Sequence, residues 1–365
     1  MGPDPIGRDP SATIDWATAI HNRFNLAKQR SDLYMNIKRL AVLWLVASVG
    51  TLSGGISQAQ PAAKVYRVGA LFNRTPGPDL EVLKKELARL GYIEGTNIVF
   101  EVQFAEGKLD RLPGFAAELV AQNVDVIATY GGPPTDAARK ASTTTPIVAA
   151  LVADPVAIGA AATLARPGGN VTGVTVHDPE RAKRQLAILK EVFPGLARVA
   201  FLSDADIPGA DANGFAPLDR DNNAAAAAMN IRPQTLKLRG PTPDLAAALD
   251  SVVSEEADAL VVMEVPVAIL NRGRIAELAT AHRIPSMFWG GVSDGGVLMS
   301  YGATIAYTYP RMPLVVDKIL KGAKPADTPF EVITRREFVV NLKVARELGV
   351  TIPPDVLKHA DRVIE

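Results

Sequence analysis

The chain has 365 residues, which exceeds one ordinary domain of about 100 to 200 residues and fits two α/β units of about 130 residues each. Its 39 Lys and Arg residues balance 39 Asp and Glu residues, so no basic excess indicates a nucleic-acid partner. The chain contains no cysteine, which excludes thiolate metal sites, cysteine nucleophiles and lipid attachment through cysteine.

The first 59 residues have the pattern of an N-terminal extension followed by a secretory signal peptide. A basic segment at 36–39 precedes an apolar run at 40–47, and small residues lead up to Ala59. Glycines interrupt the apolar run before it reaches the roughly 20 residues of a membrane span. We therefore predict cleavage after Ala59 and a periplasmic product. Residues 1–34 supply nothing that a signal peptide requires, so we expect translation to begin at Met35.

From Lys64 onward, short β-branched runs alternate with helix-length segments. This alternation is the βαβ signature of doubly wound parallel sheets. The strands expected in the first series are 65–72, 97–103, 124–130, 146–151 and 171–176. The helices expected between or after them are 79–90, 109–122, 134–141 and 155–164.

A second series begins with an expected helix at 179–193. Its expected strands are 199–203, 231–238, 259–263, 285–288 and 297–301, and its helices include 224–229 and 243–256. A helix at 305–320, an extended segment at 325–340 and a helix at 342–348 follow. This late secondary structure predicts that the chain returns to the first lobe and crosses again.

The predicted fold class is α/β, with two doubly wound parallel-sheet lobes joined by a hinge. Residues 64–177 and 303–329 are assigned to the first lobe, and residues 178–302 and 330–365 to the second. Three crossings between the lobes would form the hinge.

Motifs of catalysis and metal binding do not occur in the sequence. The four histidines, His21, His177, His282 and His359, lack the spacing of a metal site. No Gly-x-Ser-x-Gly elbow, phosphate-binding loop or dinucleotide glycine fingerprint is present. We therefore expect neither a catalytic residue nor a metal or cofactor.

Ligands of open α/β sheets bind at the carboxyl ends of the strands, so the residues there are the candidates for a binding site. The glycine turn Tyr130 to Pro134 leaves a strand and enters a helix, where free N–H groups can hold a carboxylate. The same turn is equally typical of a purely structural connection. The aromatic side chains of Tyr130 and Trp289 also have two interpretations, since they either sandwich a planar ligand or lie in the core. The candidate ligand-binding residues are Asn73, Arg74, Thr75, Tyr130, Gly131, Gly132, Pro133, Asp154, Pro155, Ser203, Asp204, Glu264, Trp289 and Tyr301.

Several stretches together resemble one family, the ABC substrate-binding proteins often described as tryptophan/tyrosine-type. The stretches that carry the resemblance are Leu90 to Ile98, Ala105 to Pro113, Asp154 to Val156, Leu164 to Gly173, Lys318 to Asp327, Phe338 to Lys343 and Leu348 to Pro354. The resemblance spans residues 65–365. It implies a type I periplasmic-binding fold that closes on a small carboxylate or amino-acid-like ligand. It also implies delivery to an ABC permease driven by a separate ATPase subunit, with the binding protein expected to be a monomer.

The sequence departs from the family pattern at two places. Pro133 stands where the family commonly has threonine, and Asp204-Ala205 replaces an Asn-Pro pair and is followed by an insertion-like stretch at 206–217. Amino acids, aromatic acids and other small carboxylates therefore all remain candidate ligands. Two other functions stay open: a sensory module that signals to a membrane receptor, and an exported α/β enzyme, which would need a nucleophile and a base.

Overall fold

The computed structural model describes residues 64–292 and 296–365. The predicted signal peptide and the Met35 start lie outside the described residues. Across the residues that the structure describes, none of the helices has the length and apolar character that crossing a bilayer requires.

Strands and helices alternate along most of the chain, as the βαβ pattern predicts. The strands are β1 (Tyr66–Phe72), β2 (Ile98–Phe104), β3 (Val126–Tyr130), β4 (Ile147–Val152), β5 (Val171–Thr175), β6 (Arg198–Asp204), β7 (Arg232–Leu238), β8 (Ala259–Val262), β9 (Ser286–Phe288), β10 (Met299–Gly302), β11 (Glu331–Val332), β12 (Glu337–Asn341) and β13 (Arg362–Ile364). The helices are α1 (Pro78–Arg89), α2 (Leu112–Ala121), α3 (Gly132–Ala141), α4 (Arg181–Val192), α5 (Pro217–Ala228), α6 (Leu245–Ser254), α7 (Pro266–Ala281), α8 (Ile305–Thr308), α9 (Met312–Leu320), α10 (Leu342–Leu348) and α11 (Pro354–His359).

The first sheet has the strand order β11-β5-β4-β3-β1-β2, and its strands pair in parallel. Helices cover both of its faces, because successive residues of a strand point in opposite directions. Val68 and Ala70 of β1 pack with Leu83 of α1, whereas Leu71 packs on the other side with Leu119 of α2. Burial on both faces explains why these strands read as continuous apolar runs in the sequence.

The second sheet has the order β13-β12-β10-β9-β8-β6-β7. Its pairs are parallel except for β10 and β12, which run antiparallel. Two apolar clusters pack on its faces, one around Phe201 and the other around Leu202. The two sheets confirm the predicted fold class.

The last passage between the sheets comes later than predicted. Residues 330–365 were assigned to the second lobe, but Glu331 and Val332 pair with Val174 and Thr175 in the first sheet. The chain therefore leaves the first sheet after Val332. It passes between the sheets three times, before α4, after β10 and before β12.

Two expected helices differ in the structure. Residues 155–164 form turns instead of a helix, because the Ala160 and Ala161 N–H groups both return to the Pro155 carbonyl and close the chain on itself. The expected helix at 305–320 is divided into α8 and α9, with Pro310 between them. In addition, α5 begins at Pro217 instead of at the expected residue 224. The elements α7, α11 and β13 were not predicted.

Candidate functional site

A cavity of about 200 Å³ lies at the carboxyl ends of strands from both sheets. Residues that follow β1, β3, β4 and β5 contribute to its wall from the first sheet, and residues that follow β8 and β9 contribute from the second. This is the position at which open α/β sheets bind ligands. Its size and mixed polar and apolar lining suit a small organic molecule.

Most of the candidate residues predicted from the sequence meet in this cavity. Those that line it are Asn73, Arg74, Tyr130, Gly131, Gly132, Pro133, Asp154, Glu264, Trp289 and Tyr301. Four candidates do not line it, namely Thr75, Pro155, Ser203 and Asp204.

Ser203 and Asp204 lie beneath the cavity wall and have structural partners. The Ser203 hydroxyl donates to the buried Asp219 carboxylate. Asp204 is 2% exposed and accepts hydrogen bonds from the backbone N–H groups of Asp206 at 2.9 Å and Val267 at 3.0 Å. Burial raises the Asp204 pKa, and these hydrogen bonds oppose the rise. Asp204 thus fixes the start of α7 and does not face a ligand.

The glycine turn offers fewer donors than the sequence suggested. Gly131 adopts a φ of +96°, which explains the glycine, and its N–H donates to the Ala150 carbonyl at 2.8 Å. The next two helical positions, Pro133 and Pro134, have no N–H group. The Thr135 N–H and hydroxyl both reach the Gly131 carbonyl. Only the Gly132 N–H is left unused by the turn itself, so the helix start cannot supply several N–H groups to an anion.

The aromatic candidates are largely buried among their neighbours. Tyr130 is 3% exposed and stacks on Phe72 with ring centroids 4.8 Å apart. Trp289 is 9% exposed and packs at a tilt against Phe288. Both rings contribute an edge of the cavity wall, while most of their surface belongs to the two cores.

Arg74 is a charged residue whose partners lie within the first lobe. Its Nε and Nη2 donate to Asp79 Oδ2 at 3.0 and 2.5 Å, and Nη2 also contacts the Tyr309 hydroxyl. Burial lowers the Arg74 pKa, but attraction from Tyr309 and Asp79 outweighs it, so the pKa is raised. Asp79 is fully buried, and Arg74 is the cation that pairs with it.

Arg181 and Glu264 behave differently. Arg181 Nη1 donates to Gln185 at 2.8 Å and Nη2 to Asn222 at 3.0 Å, and both acceptors are neutral amides. Within the described residues, neither Arg181 nor Glu264 forms an ion pair, and Glu264 accepts no hydrogen bond. Both side chains line the cavity and keep part of their surface accessible there.

Removal from bulk water shifts the pKa of both groups towards their neutral forms. Burial lowers the pKa of Arg181, although Asp221, Asp178 and Glu264 partly compensate. Burial also raises the pKa of Glu264 from 4.5 to about 7, although Arg74 and Arg181 oppose the rise. Arg181 and Glu264 therefore place a cation and a titratable carboxyl group at the cavity, and neither forms an ion pair within the described residues.

Arg336 joins two of the three chain passages at the edge of the cavity. Its Nε donates to Asp178 Oδ2 at 2.9 Å, and its Nη2 lies 3.5 Å from the carbonyls of Val176 and His177. Nη1 also donates to the Ile333 carbonyl. Asp178 precedes α4 and Arg336 precedes β12, so this residue ties the first passage to the last.

The sequence did not single out several residues of the wall. They include Asp178, Arg181, Ile207, Pro208, Tyr309 and Arg336. The signal that could have found Arg181, Asp178 and Arg336 is their position beside an expected crossing. In the part of the chain that the structure describes, no group of three or more His, Asp or Glu side chains is arranged to hold a metal ion.

A family model described as ABC transporter substrate binding protein matches residues 79–364. Among curated proteins, a tyrosine-binding protein from Clostridioides difficile is 23% identical over 276 residues, which cover 72% of this chain and 75% of the relative.

Two crystal structures show the same fold. A conserved domain protein from Vibrio cholerae has a TM-score of 0.74 at 23% identity, over 82% of this chain and 100% of that one. The ABC domain in complex with L-Trp from Streptococcus pneumonia has a TM-score of 0.72 at 24% identity, over the same shares of the two chains.

Proposed function

Because the chain belongs to the family of ABC transporter substrate-binding proteins, we propose that it captures a small amino-acid-like ligand between its two lobes. Closure of the lobes about the three passages would bury the ligand. The closed protein would then deliver it to a membrane permease driven by a separate ATPase. This role requires binding and release, without a catalytic step.

The observation that carries this proposal is the pair of unbalanced groups in the cavity, Arg181 and Glu264. A buried charge without a partner is costly, and a ligand that provides the opposite charge removes that cost. A ligand carboxylate would accept hydrogen bonds from Arg181, and a ligand ammonium group would donate to Glu264. An α-amino acid carries both groups on the same carbon atom.

The remaining lining supports an amino acid with an apolar side chain. Ile158, Leu218 and Ile269 line the cavity together with edges of Trp289 and Tyr301. The names of two relatives agree with this, since one is called a tyrosine-binding protein and another was solved with L-Trp. We therefore place aromatic and large aliphatic amino acids first, and simple carboxylates second.

The family is extracytoplasmic, and we propose a periplasmic monomer that is released after cleavage at Ala59. A receptor that diffuses between solute and permease needs no second copy. The mature protein would begin at Gln60.

Thermal unfolding of the chain from Gln60 onward tests the proposal against a panel of L-amino acids, aromatic acids and small carboxylates. A ligand at about 100 times its Kd stabilises the folded state by roughly 2.7 kcal/mol and raises the unfolding midpoint visibly. A saturable shift with an amino acid supports the proposal. Failure of every amino acid and carboxylate to shift a folded, ligand-free sample contradicts it.

The importer role has a separate test. The cognate permease and its ATPase would be reconstituted in vesicles, and ATP hydrolysis would be measured with loaded and empty binding protein. We expect hydrolysis to rise with the loaded form. Equal hydrolysis with both forms, combined with signalling through a neighbouring membrane receptor, would favour the sensory alternative.

A further inference from the structure

The loop between β6 and α5, residues 205–216, is held together by its own hydrogen bonds. The Asp211 carboxylate accepts from the backbone N–H groups of Asn213 at 2.9 Å and Phe215 at 3.0 Å. Arg220 Nη1 donates to the Phe215 carbonyl at 2.6 Å. We refer to residues 205–216 as the arm.

Contacts at its base attach the arm to the second lobe. The Ala205 N–H donates to the Leu238 carbonyl at 2.7 Å, and the Asp206 carboxylate pairs with Arg239 at 2.6 Å. These contacts connect the arm to β6 and β7 of the second lobe.

The tip of the arm lies against the first lobe. A methyl group added at Gly132 would lie 3.7 Å from Pro208 Cδ, which is ordinary van der Waals contact. A methyl group at Gly209 would lie 3.3 Å from the Ala157 carbonyl oxygen. The tip thus covers the glycine turn and the segment that follows β4.

Ile207 and Pro208, at this tip, line the cavity. Both side chains are partly exposed, and Ile207 packs beside the apolar cluster of the second lobe. An apolar group in a pocket wall discriminates between ligands by size, at about 10- to 200-fold per methylene group. This placement gives the arm direct access to the ligand.

We propose that Ile207 and Pro208 are specificity-determining residues that set the largest side chain the cavity accepts. The inference rests on the proposed function, because it assumes an amino-acid ligand. Smaller residues at position 207 would leave space that a longer ligand fills, and larger residues would exclude ligands that now bind.

The test is calorimetric titration with glycine, L-alanine, L-valine, L-leucine, L-phenylalanine, L-tyrosine and L-tryptophan. The proteins are the wild type, Ile207→Ala, Ile207→Phe and the control Asn213→Ala, whose exposed side chain lies in the arm outside the cavity. We expect Ile207→Ala to raise the affinity for larger ligands relative to smaller ones by about tenfold or more. We expect Ile207→Phe to lower the same ratio. Asn213→Ala should match the wild type.

Opposite shifts in selectivity distinguish this role from a structural one, which would weaken every ligand equally. The inference would be overturned if the variants weakened binding of all ligands equally. It would also be overturned if the wild type bound a ligand and both variants kept its affinity ratios between larger and smaller ligands. Neither result would contradict the proposed function. Binding of none of the panel by the wild type would instead overturn the proposed function.

A second measurement does not depend on a ligand. The chain has no cysteine, so the double variant Gly132→Cys with Pro208→Cys carries only two thiols. A short thiol-to-thiol reagent should join them within one chain, which mass spectrometry of the digested protein would detect. Either single variant is the control. Absence of the cross-link would overturn the placement of the arm over the turn, and its formation would support it.

Discussion

The two walls of the cavity carry similar charges but use them differently. In the first lobe, Arg74 is bound to Asp79 and Tyr309, so its charge is balanced before any ligand arrives. In the second lobe, Arg181 has only amide partners and Glu264 has no hydrogen-bond partner among the described residues. The first wall therefore has its charges paired, whereas we propose that the second wall provides the groups that pair with a ligand.

The charge of a cavity residue therefore does not by itself identify that residue as a ligand contact. A buried cation that has its own carboxylate is already balanced, whereas a buried cation without one can be balanced by a ligand carboxylate.

Loss of the buried ion pair in the first wall should strongly destabilise the fold. Arg74→Gln leaves Asp79 buried without its cation, and we expect the free energy of unfolding to fall by about 3 to 5 kcal/mol. Urea unfolding measures the loss. The control is Arg67→Gln, since the exposed pair between Arg67 and Glu101 should contribute no more than about 1 kcal/mol. A loss in Arg74→Gln that is no larger than in the control would contradict the assignment of Arg74 to the fold.

The next effect concerns recognition by the second wall. Arg181→Gln removes the cation that forms no ion pair within the described residues, so we expect ligand affinity to fall about 100-fold, while the free energy of unfolding stays level or rises. Calorimetric titration and urea unfolding give the two values. Lys183→Gln, which changes an exposed residue of the same helix, serves as the control. A large loss of stability with unchanged ligand affinity would show that Arg181 stabilises the fold, as Arg74 does, and does not bind the ligand.

Glu264 gives the second wall a pH dependence. Its pKa of about 7 in the empty site should fall when a ligand ammonium group binds, so binding releases a proton from the protonated form. Affinity for an amino acid should rise by up to about tenfold per pH unit below 7 and level off above it. Titrations between pH 5.5 and 8.5, a range chosen to bracket that pKa, measure this in the wild type and Glu264→Gln. If the affinity of Glu264→Gln rose with pH as much as that of the wild type, the role of Glu264 would be contradicted.

The same group affects stability of the empty protein. Its pKa is higher in the folded chain than the ordinary 4.5, so the folded state binds more protons between pH 4.5 and about 7. The contribution of Glu264 to the free energy of unfolding therefore falls as the pH rises through this window and is constant above it. Glu264→Gln should remove this part of the pH dependence.

A weaker effect should come from the contact between the two lobes at Gly107. A methyl group at Gly107 of the first lobe would lie 2.5 Å from Leu270 Cδ1 and 2.8 Å from Pro241 Cβ of the second lobe. Gly107→Ala should therefore hinder closure. The end of the Leu270 side chain can move away but the Pro241 ring cannot, so we expect affinity to fall severalfold.

Gly95→Ala is the matched control for this variant. Gly107 has a φ of +78° and Gly95 a φ of +79°, but a methyl group at Gly95 meets nothing within 4 Å. Both variants should lose similar stability, about 1 to 2 kcal/mol from the left-handed backbone. Only Gly107→Ala should lose affinity, and equal affinities in the two variants would contradict the closing contact.

Much of the fold was predictable from local pattern. The strands of parallel sheets are buried on both faces and stand out as apolar runs between helices, so β1 to β5 were found within about two residues. Asp154-Pro155 misled the prediction because it is a typical helix start. Asp154 does accept from the Val156 and Ala157 N–H groups, but the chain turns back after that first turn.

The site was only partly predictable. Strand ends identify where a cavity forms, which located Arg74 and Glu264, but they do not tell whether a charge is balanced. Arg181 begins an ordinary amphipathic helix and looks in the sequence like a solvated residue. Its burial arises from α5, which supplies Asn222, and from the passage between lobes, and such long-range packing leaves no local signal.

The most direct test of the two unbalanced groups is a calorimetric comparison of matched ligands at pH 7.5. L-tryptophan would be titrated beside indole-3-propionate, which lacks the ammonium group, and tryptamine, which lacks the carboxylate. L-tyrosine and L-leucine would each be compared with their own deaminated and decarboxylated analogues in the same way. We expect the zwitterion that binds to lose at least about 100-fold in affinity when either group is removed, because Glu264 or Arg181 is then left unpaired. Equal affinity for an analogue that lacks either group would contradict recognition by these two residues.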